Sequence, residues 1–330
     1  MPKETASTSS SVGLYRSGIT SPEQLRHITV GRGDLMTDMR EKLLGFVNKA
    51  SKQHSLFIGP RGVGKTHLLS LIAQEVATNP ELKDRYVVVR FPEEPLRLLG
   101  YVDFLMGVCE ILQDALPAPE SEKWKQLYRQ LVEEEDVHRI RDILEPEIRR
   151  ASRDRGRTLL VMLENFNEVL DNQIKEQQDA AALRKFFMGD NGCMLVATAP
   201  LYFPGVSDVG RPFYDFFDVQ ILDNLSADET LDLIRRNLEW EHEDALLKQF
   251  GDLKPKILAL HQMTAGNPRL IMMLYELIAH DSILSVRDQF MSLLDRITPF
   301  YQDRIKDLPP QERAIMETIA KTRDVKKIPA

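Results

Sequence analysis

Residues 59–66, Gly59-Pro60-Arg61-Gly62-Val63-Gly64-Lys65-Thr66, satisfy every position of the pattern G-x-x-x-x-G-K-[ST]. The pattern implies a particular chemistry. Glycines let successive backbone N–H groups wrap an anion without side-chain collisions. A helix starting at Lys65 turns its positive N-terminal end toward the same anion. Lys65 then reaches the β- and γ-phosphates of a nucleotide, and the Thr66 hydroxyl is a ligand for Mg²⁺. With ordinary residue usage the pattern arises by accident in on the order of one chain in a hundred of this length. Context also supports it. Ser55–Ile58 is a short apolar run that reads as a buried strand, and the residues from Lys65 to about Ala77 read as a helix.

Upstream, residues 34–50 place Leu35, Met39, Leu43 and Phe46 at helical spacing behind Asp34, a good helix cap. Downstream, apolar runs at 85–91, 157–163, 193–199 and 218–222 read as four more strands. Short continuous apolar strands alternating with helices predict an α/β fold whose parallel sheet is sandwiched by helices. The connection over 92–156 is about twice the roughly 30 residues of a one-helix crossover, so one or two extra helices are expected there. From Ser226 the strands stop. Ser226-Ala-Asp-Glu229 is a capping box opening a helix to about Leu238, and 253–265, 268–280, 285–306 and about 310–321 continue as helices. Ile315, Met316 and Ile319 share one face of the last.

The 330 residues include 50 acidic and 43 basic side chains, for a net charge of −7. That balance argues against a polybasic nucleic-acid coat, although one local basic face remains compatible with it. No run of roughly 18 apolar residues is present, so no membrane span is expected. Residues 1–12 are rich in Ser and Thr and lack a signal-peptide core. Cys109 and Cys193 are the sole cysteines, too few for a disulfide framework or a Cys-rich zinc site, so a reducing cytoplasmic setting is expected. His138 and His242 have no partners at metal-ligand spacing.

Further candidates lie at strand ends and in the helical region. The strand 157–163 ends in Glu164-Asn165. P-loop ATPases, whose phosphate loop this one resembles, end another buried strand in Asp-Glu, the Asp near the metal and the Glu activating water; that resemblance implies Glu164 at the metal and Asn165 at the base position. An amide orients water but does not accept its proton. Three readings stay open. Hydrolysis is slow and the protein is a switch; or Glu168 or Asp171 substitutes; or Glu164 polarises the water while Thr66 alone contacts Mg²⁺. Thr198, at the tip of the fourth strand, is either a γ-phosphate or water contact or simply a good strand former. In Gly266-Asn267-Pro268-Arg269, Asn267 caps a helix and Arg269 lies in its first turn, where a guanidinium can approach a nucleotide held between two lobes. Arg211 is either a solvated loop residue or a finger completing a neighbouring subunit's site.

Together these elements resemble the AAA+ ATPases, and within them the origin-recognition/initiator-type group and its prokaryotic relatives. The resemblance spans about residues 25–306. It rests on Ile28-Thr-Val-Gly-Arg32, the complete phosphate loop, the acidic strand end, Thr198 and Gly-Asn-Pro-Arg269. It implies ATP with Mg²⁺ at the junction of an α/β core and a helical lid, Ile28 and Val30 packing near the adenine, and a homo-oligomer formed on ATP binding. The expected layout is a disordered tail at 1–20, a nucleotide-binding core at 21–224 with a helical insertion at about 92–156, and a helical lid at 225–306. Residues 307–330 come last as a C-terminal helix or tail; the stretch from Tyr301 to Met316 looks like the opening of a winged helix, but too little chain remains to complete one.

Basic residues gather at 149–157, with five arginines against one aspartate. Arg149, Arg150 and Arg153 either contact duplex DNA phosphates or complement a helix C-terminus in solvent. The run 321–327 has the same two readings, and the acidic runs 133–136 and 239–244 read as solvated faces. Phe213, Tyr214, Phe216 and Phe217 read as a hydrophobic plug between sheet and lid rather than a base-stacking platform. Two functions fit best: an ATP-dependent switch acting with nucleic-acid-associated factors, in the manner of initiators or transposition regulators, or a signalling or defence scaffold that controls a partner protein without DNA. A small-molecule kinase fits less well, because no acceptor-binding motif stands out.

Overall fold

The computed structural model describes residues 21–47, 53–93, 98–153, 156–189, 192–280 and 309–321. The tail expected at 1–20, the helix expected at 285–306, the stretch 301–308 and residues 322–327 of the basic run lie outside that set. The chain divides into two compact units, one through Met272 and one from Met273.

In the first unit, α1 (Pro22–His27) and α2 (Gly33–Val47) precede β1 (His54–Ile58), α3 (Lys65–Thr78) and β2 (Tyr86–Arg90). Three helices come next: α4 (Tyr101–Ala115), α5 (Glu120–Leu131) and α6 (Val137–Arg153). Two of them are the extra helices that the length of 92–156 demands. Then come β3 (Thr158–Leu163), a π-helical turn (Glu168–Gln173), α7 (Gln177–Met188), β4 (Cys193–Ala199), the single turn α8 (Pro204–Ser207) and β5 (Phe217–Ile221). Helices α9 (Ala227–Trp240), α10 (Asp244–Lys248), α11 (Phe250–Thr264) and α12 (Pro268–His280) complete the run, and α12 continues into the second unit. The second unit also contains α13 (Pro310–Lys321), on which Ile315 and Met316 are exposed.

All five strands are parallel, in the order β2-β3-β4-β1-β5. Strands β1, β3 and β4 are buried throughout, which is why they read as unbroken apolar runs. Their period-2 alternation splits the core into two layers. Leu159, Val161, Leu163 and Leu195 face a cluster with Phe104, Val108, Leu144 and Phe186 from α4, α6 and α7. Leu160, Met162, Met194, Val196 and Phe57 face Met39, Leu43, Leu68 and Ile72 from α2 and α3. Each such fully buried side chain contributes about 1.5–3 kcal/mol of transfer free energy, so the sheet is a rigid base for whatever its ends carry.

The strand order determines where those ends meet. β1 lies between β4 and β5, whereas β2 and β3 lie beyond β4. The carboxyl ends of β1, β3 and β4 are therefore adjacent at the point where the winding reverses, the usual position for a ligand in such sheets. Gly59 N–H donates to Ala199 O (3.1 Å) and Leu222 N–H to Ile58 O (2.7 Å), so the ladder continues to the edge of the loop.

The expected aromatic plug forms, but in a different place. Phe216 packs edge to face on both Phe213 and Phe217, which in turn meet Phe166 edge to face, while Tyr214 is exposed. Phe217 is the first residue of β5, and it packs against the core cluster that contains Phe166, Phe213 and Phe216.

At the other end of β1, His54 is buried and stacked on Phe216 with ring centroids 4.5 Å apart. Its Nδ1 accepts from Leu195 N–H at 3.0 Å, and its other ring nitrogen faces the Phe187 carbonyl. These two bonds require the neutral tautomer, and burial pushes the pKa from 6.5 down to about 4. Between those two values the unfolded chain binds the proton and the folded chain does not, so stability is full above the upper value and falls as pH drops toward the lower. His54 then contributes a slope of up to about 1.4 kcal/mol per pH unit in that window. Chemical denaturation of wild type and His54→Gln across this range should show a shallower pH dependence in the variant. Parallel curves would contradict the assignment.

Candidate functional site

The loop between β1 and α3 owes its shape to glycine at two points. Gly62 has φ +85° and Gly64 φ +102°, a region that strains any L side chain. Gly64 is also the N-cap of α3 and supplies no side chain, so the first N–H groups of that helix have no side-chain cap. The Lys65 side chain is buried along the loop, and its Nζ donates to the carbonyls of Gly59 (2.7 Å) and Pro60 (3.1 Å). Burial is the main cause that lowers its pKa to about 8, with Arg61 adding to the shift and the carboxylates of Glu164 and Glu93 opposing it.

Beside the loop, the end of β3 meets the first turn of α3. Thr66 Oγ1 donates to Glu164 Oε2 at 2.5 Å. The other carboxylate oxygen accepts from Arg90 Nη2 at 3.0 Å, and Arg90 Nη1 donates to Ser70 Oγ at 2.9 Å. Glu164 is only 4% exposed. A carboxylate that deep costs several kcal/mol in lost hydration unless it is paired, so Arg90 is part of the arrangement. Arg90 escapes notice in the sequence because an arginine ending a strand looks like an ordinary solvated residue.

Asn165 adopts a left-handed conformation, φ +51°, which asparagine tolerates better than most residues. Its N–H donates to Thr198 Oγ1 at 3.4 Å, and its side-chain Nδ2 donates to Glu93 O at 3.2 Å. Thr198 is fully buried, so the structure places its hydroxyl between the ends of β3 and β4. Neither Glu168 nor Asp171 acts on Lys65. The Glu168 carboxylate accepts from the side chains of Asn167 and Asn172, and Asp171 neighbours Arg211 and Asp208.

The Gly-Asn-Pro-Arg motif reaches the loop directly. Asn267 Nδ2 donates to Arg61 O at 3.0 Å, and Arg269 N–H donates to Gly62 O at 3.2 Å. A Cβ on Gly62 would lie 2.6 Å from Asn267 Oδ1 and 2.9 Å from Arg269 Cβ. The start of α12 is thus seated on the tip of the loop through contacts to the loop backbone, with the Arg269 side chain exposed beside it.

The segment 28–32 closes another side. Ile28 and Val30 are buried, and between them Thr29 Oγ1 bonds His67 Nε2 at 2.8 Å, while Arg236 Nη1 of α9 donates to Thr29 O at 3.0 Å. Arg32 joins three pieces of chain, donating to Gly31 O (3.1 Å), Val63 O (3.2 Å) and Asp223 O (2.9 Å). Burial lowers its pKa while Glu229 and Asp223 oppose that change. The single glycine before Arg32 is required because the Glu229 carboxylate lies where a Cβ would be.

Other candidates are not brought to this place. Arg211 is exposed near Asp171, with no hydrogen bond or ion pair to residues 59–66 among the described residues. Arg149 and Arg150 lie on α6. Arg149 donates to Glu145 Oε1 through Nη2 (2.6 Å) and sits 5.2 Å over the Phe186 ring; Arg150 pairs with Glu147. Arg153 ends α6, and its side chain is outside the described set. The sequence carried the signal for this neutralisation, since Glu145 precedes Arg149 by four residues and Glu147 precedes Arg150 by three.

The donor set fits Mg²⁺ bound with a nucleotide: one hydroxyl and one carboxylate oxygen side by side, both hard. Among the described residues no group of three or more His, Cys, Asp or Glu could hold a metal without such help, and no helix is long and apolar enough to cross a membrane.

No protein-family model matches the sequence, and no curated protein shows detectable sequence similarity to it. Solved structures do match. The Walker-type ATPase PABY2304 of Pyrococcus abyssi superposes with a TM-score of 0.53 at 12% identity, over 82% of this chain and 76% of that one. The Aeropyrum pernix ORC1 protein, determined in complex with DNA, gives 0.53 at 15% identity over 94% and 76%. The Drosophila ORC bound to DNA gives 0.53 at 12% identity over 97% and 77%. At these identities the likeness is one of fold: a parallel sheet of order 2-3-4-1-5 flanked by helices and succeeded by a helical region, as in AAA+ ATPases.

Lys65 supplies a test of the loop. An anion seated against its ammonium raises the lysine pKa above its free value of about 8. Binding therefore takes up a proton as the pH passes that value, and affinity for an ATP analogue should fall by up to about tenfold per pH unit above it. Titration calorimetry from neutral to alkaline pH reads this directly. A flat affinity profile with no proton uptake would contradict it.

Proposed function

We propose that the chain is an ATP-binding, Mg²⁺-dependent switch ATPase of the AAA+ type, whose nucleotide-bound oligomer recruits or regulates nucleic-acid-associated factors. The observation that carries the reading is the Thr66–Glu164 hydrogen bond at 2.5 Å, which sets a hydroxyl and a buried carboxylate beside a complete phosphate loop. In this reading residues 59–66 hold the phosphates, Lys65 neutralises the β/γ pair, and Thr66 with Glu164 holds Mg²⁺. Ile28 and Val30 flank the base. Mg²⁺ would draw charge from the terminal phosphate; the protein's part is to bind, orient and exclude water. The reaction is ATP plus water to ADP plus phosphate. The amide Asn165 stands where a base is expected and cannot take a proton, so the end of β3 supplies no base of its own for that step.

The helices after Leu225 serve as the lid. Their contact with the loop through Asn267 and Arg269 gives the switch its mechanical link, since a phosphate that moves the loop tip also moves the start of α12. Arg211, exposed and unbonded to its own loop, completes the site of a second copy.

A nucleic-acid role draws on the DNA complexes of the ORC structures. The surface on α6 fits it unevenly. Arg150 is 56% exposed in its pair with Glu147, and an exposed pair is worth only about 0–1 kcal/mol, so a DNA phosphate can displace the glutamate. Arg149 is held by both Glu145 and the Phe186 face and is less free. That neutralisation favours the second reading, a signalling or defence scaffold acting on a partner protein without DNA.

Light scattering with ADP, a non-hydrolysable ATP analogue, and analogue plus duplex DNA separates the two. Assembly that needs DNA supports the nucleic-acid switch; assembly with analogue alone supports the scaffold. Lys65→Ala should abolish or greatly weaken ATP binding and both forms of assembly. A wild-type dissociation constant in that variant would refute the site.

A further inference from the structure

The acid that could take a proton from water at this site lies on the neighbouring strand. We infer that Glu93, three residues past the end of β2, is the general base of the reaction, and that Asn165 holds its backbone in place. The inference rests on the ATPase reading above and assigns a residue to the step that reading leaves without one.

The topology brings Glu93 there. β2 pairs with β3 in parallel with Arg90 opposite Met162, and Phe91 N–H donates to Met162 O at 3.1 Å, so the chain stays beside β3 one step beyond the strand. Pro92 has no N–H and cannot extend the ladder. The next residue, Glu93, comes level with the end of β3, where Asn165 Nδ2 donates to its carbonyl at 3.2 Å. Arg90 ties the same two chain ends together through Glu164 Oε1 at 3.0 Å. Two bonds therefore fix the 90–93 segment against Glu164-Asn165.

The remaining acids are otherwise occupied. Glu164 spends one oxygen on Thr66 and the other on the Arg90 guanidinium, so both are already engaged. Glu168 is held by two asparagine side chains, and Asp171 lies beside Arg211. Among the described residues, Glu164 and Glu93 are the acids whose charge acts on the Lys65 ammonium. Glu93 is exposed, and no described side chain holds its carboxylate. It stands beside Asn165 at the end of β3, with its carboxylate open to solvent.

In the step itself, a water oxygen bonds to the γ-phosphorus as the bond from that phosphorus to the β-phosphate bridging oxygen breaks. The electron pair leaves with ADP. The Glu93 carboxylate takes a proton from the attacking water and later returns it to solvent. The left-handed backbone of Asn165 accompanies the reach of its amide to the Glu93 carbonyl, which explains why an amide at the strand end is compatible with turnover.

The test is Glu93→Gln in the full chain, assayed for phosphate release and for binding of a fluorescent ATP analogue, with and without duplex DNA. Analogue affinity should stay within about twofold, while turnover falls by about a hundredfold or more. Adding Asn165→Glu to Glu93→Gln should restore turnover, because a base returns to the end of β3. Glu93→Gln turnover within about twofold of wild type overturns the assignment. Wild-type protein that binds the analogue but releases no phosphate in either condition overturns it too, while leaving the nucleotide site intact. Failure of that site shows separately, as unchanged binding in Lys65→Ala.

Discussion

Glu164 is a carboxylate placed where water barely reaches it, and the architecture around the loop keeps it paired. Its burial would cost several kcal/mol if it stood alone, so one oxygen takes the Thr66 hydroxyl and the other the Arg90 guanidinium. Those two bonds connect the ends of β3 and β2 to the first turn of α3. They also bring three strand ends within reach of one ligand. The rigid sheet beneath, with β1, β3 and β4 buried on both faces, makes that placement stable.

A second set of contacts ties the loop to the helices beyond the sheet. Arg32 bridges the entry segment, the loop at Val63 and the linker at Asp223, while Asn267 and Arg269 rest on Arg61 and Gly62. None of these contacts passes through a phosphate. The loop is therefore tied to the entry segment and to the start of α12 through hydrogen bonds on its backbone carbonyls, each worth on the order of 1 kcal/mol.

Much of this was legible in the chain. Glycine spacing pointed to the loop, apolar runs marked five strands within a residue or two, and the length of 92–156 called for one or two added helices, of which the structure has two. Glu164, Thr198 and Asn267-Pro-Arg269 stood out because strand ends and helix starts are the places where polar residues need a reason. Arg90 and Glu93 were not legible, and Arg32 showed only as the end of the entry segment, without its bonds. Each is a charged residue beside a strand end or a glycine, a common solvated pattern. The meaning of Arg90 and Glu93 comes from strand order, which pairs β2 with β3 rather than with β1. The arginines at 149 and 150 were legible as a basic run, yet their glutamate partners one helical turn earlier offset the run's charge. The aromatic plug was placed correctly as core but assigned to the wrong neighbours, since its contacts with Phe166 join residues far apart in the chain.

Glu164 as the acid that shares Mg²⁺ with Thr66 is the assignment on which the site stands, and the most direct measurement is the ATP affinity of wild type and Glu164→Gln, each with Mg²⁺ and with a chelator. Wild type should bind ATP more tightly with Mg²⁺, whereas Glu164→Gln should lose that gain and retain its metal-free affinity. An equal Mg²⁺ enhancement in both proteins would contradict the assignment of Glu164 and the site built on it.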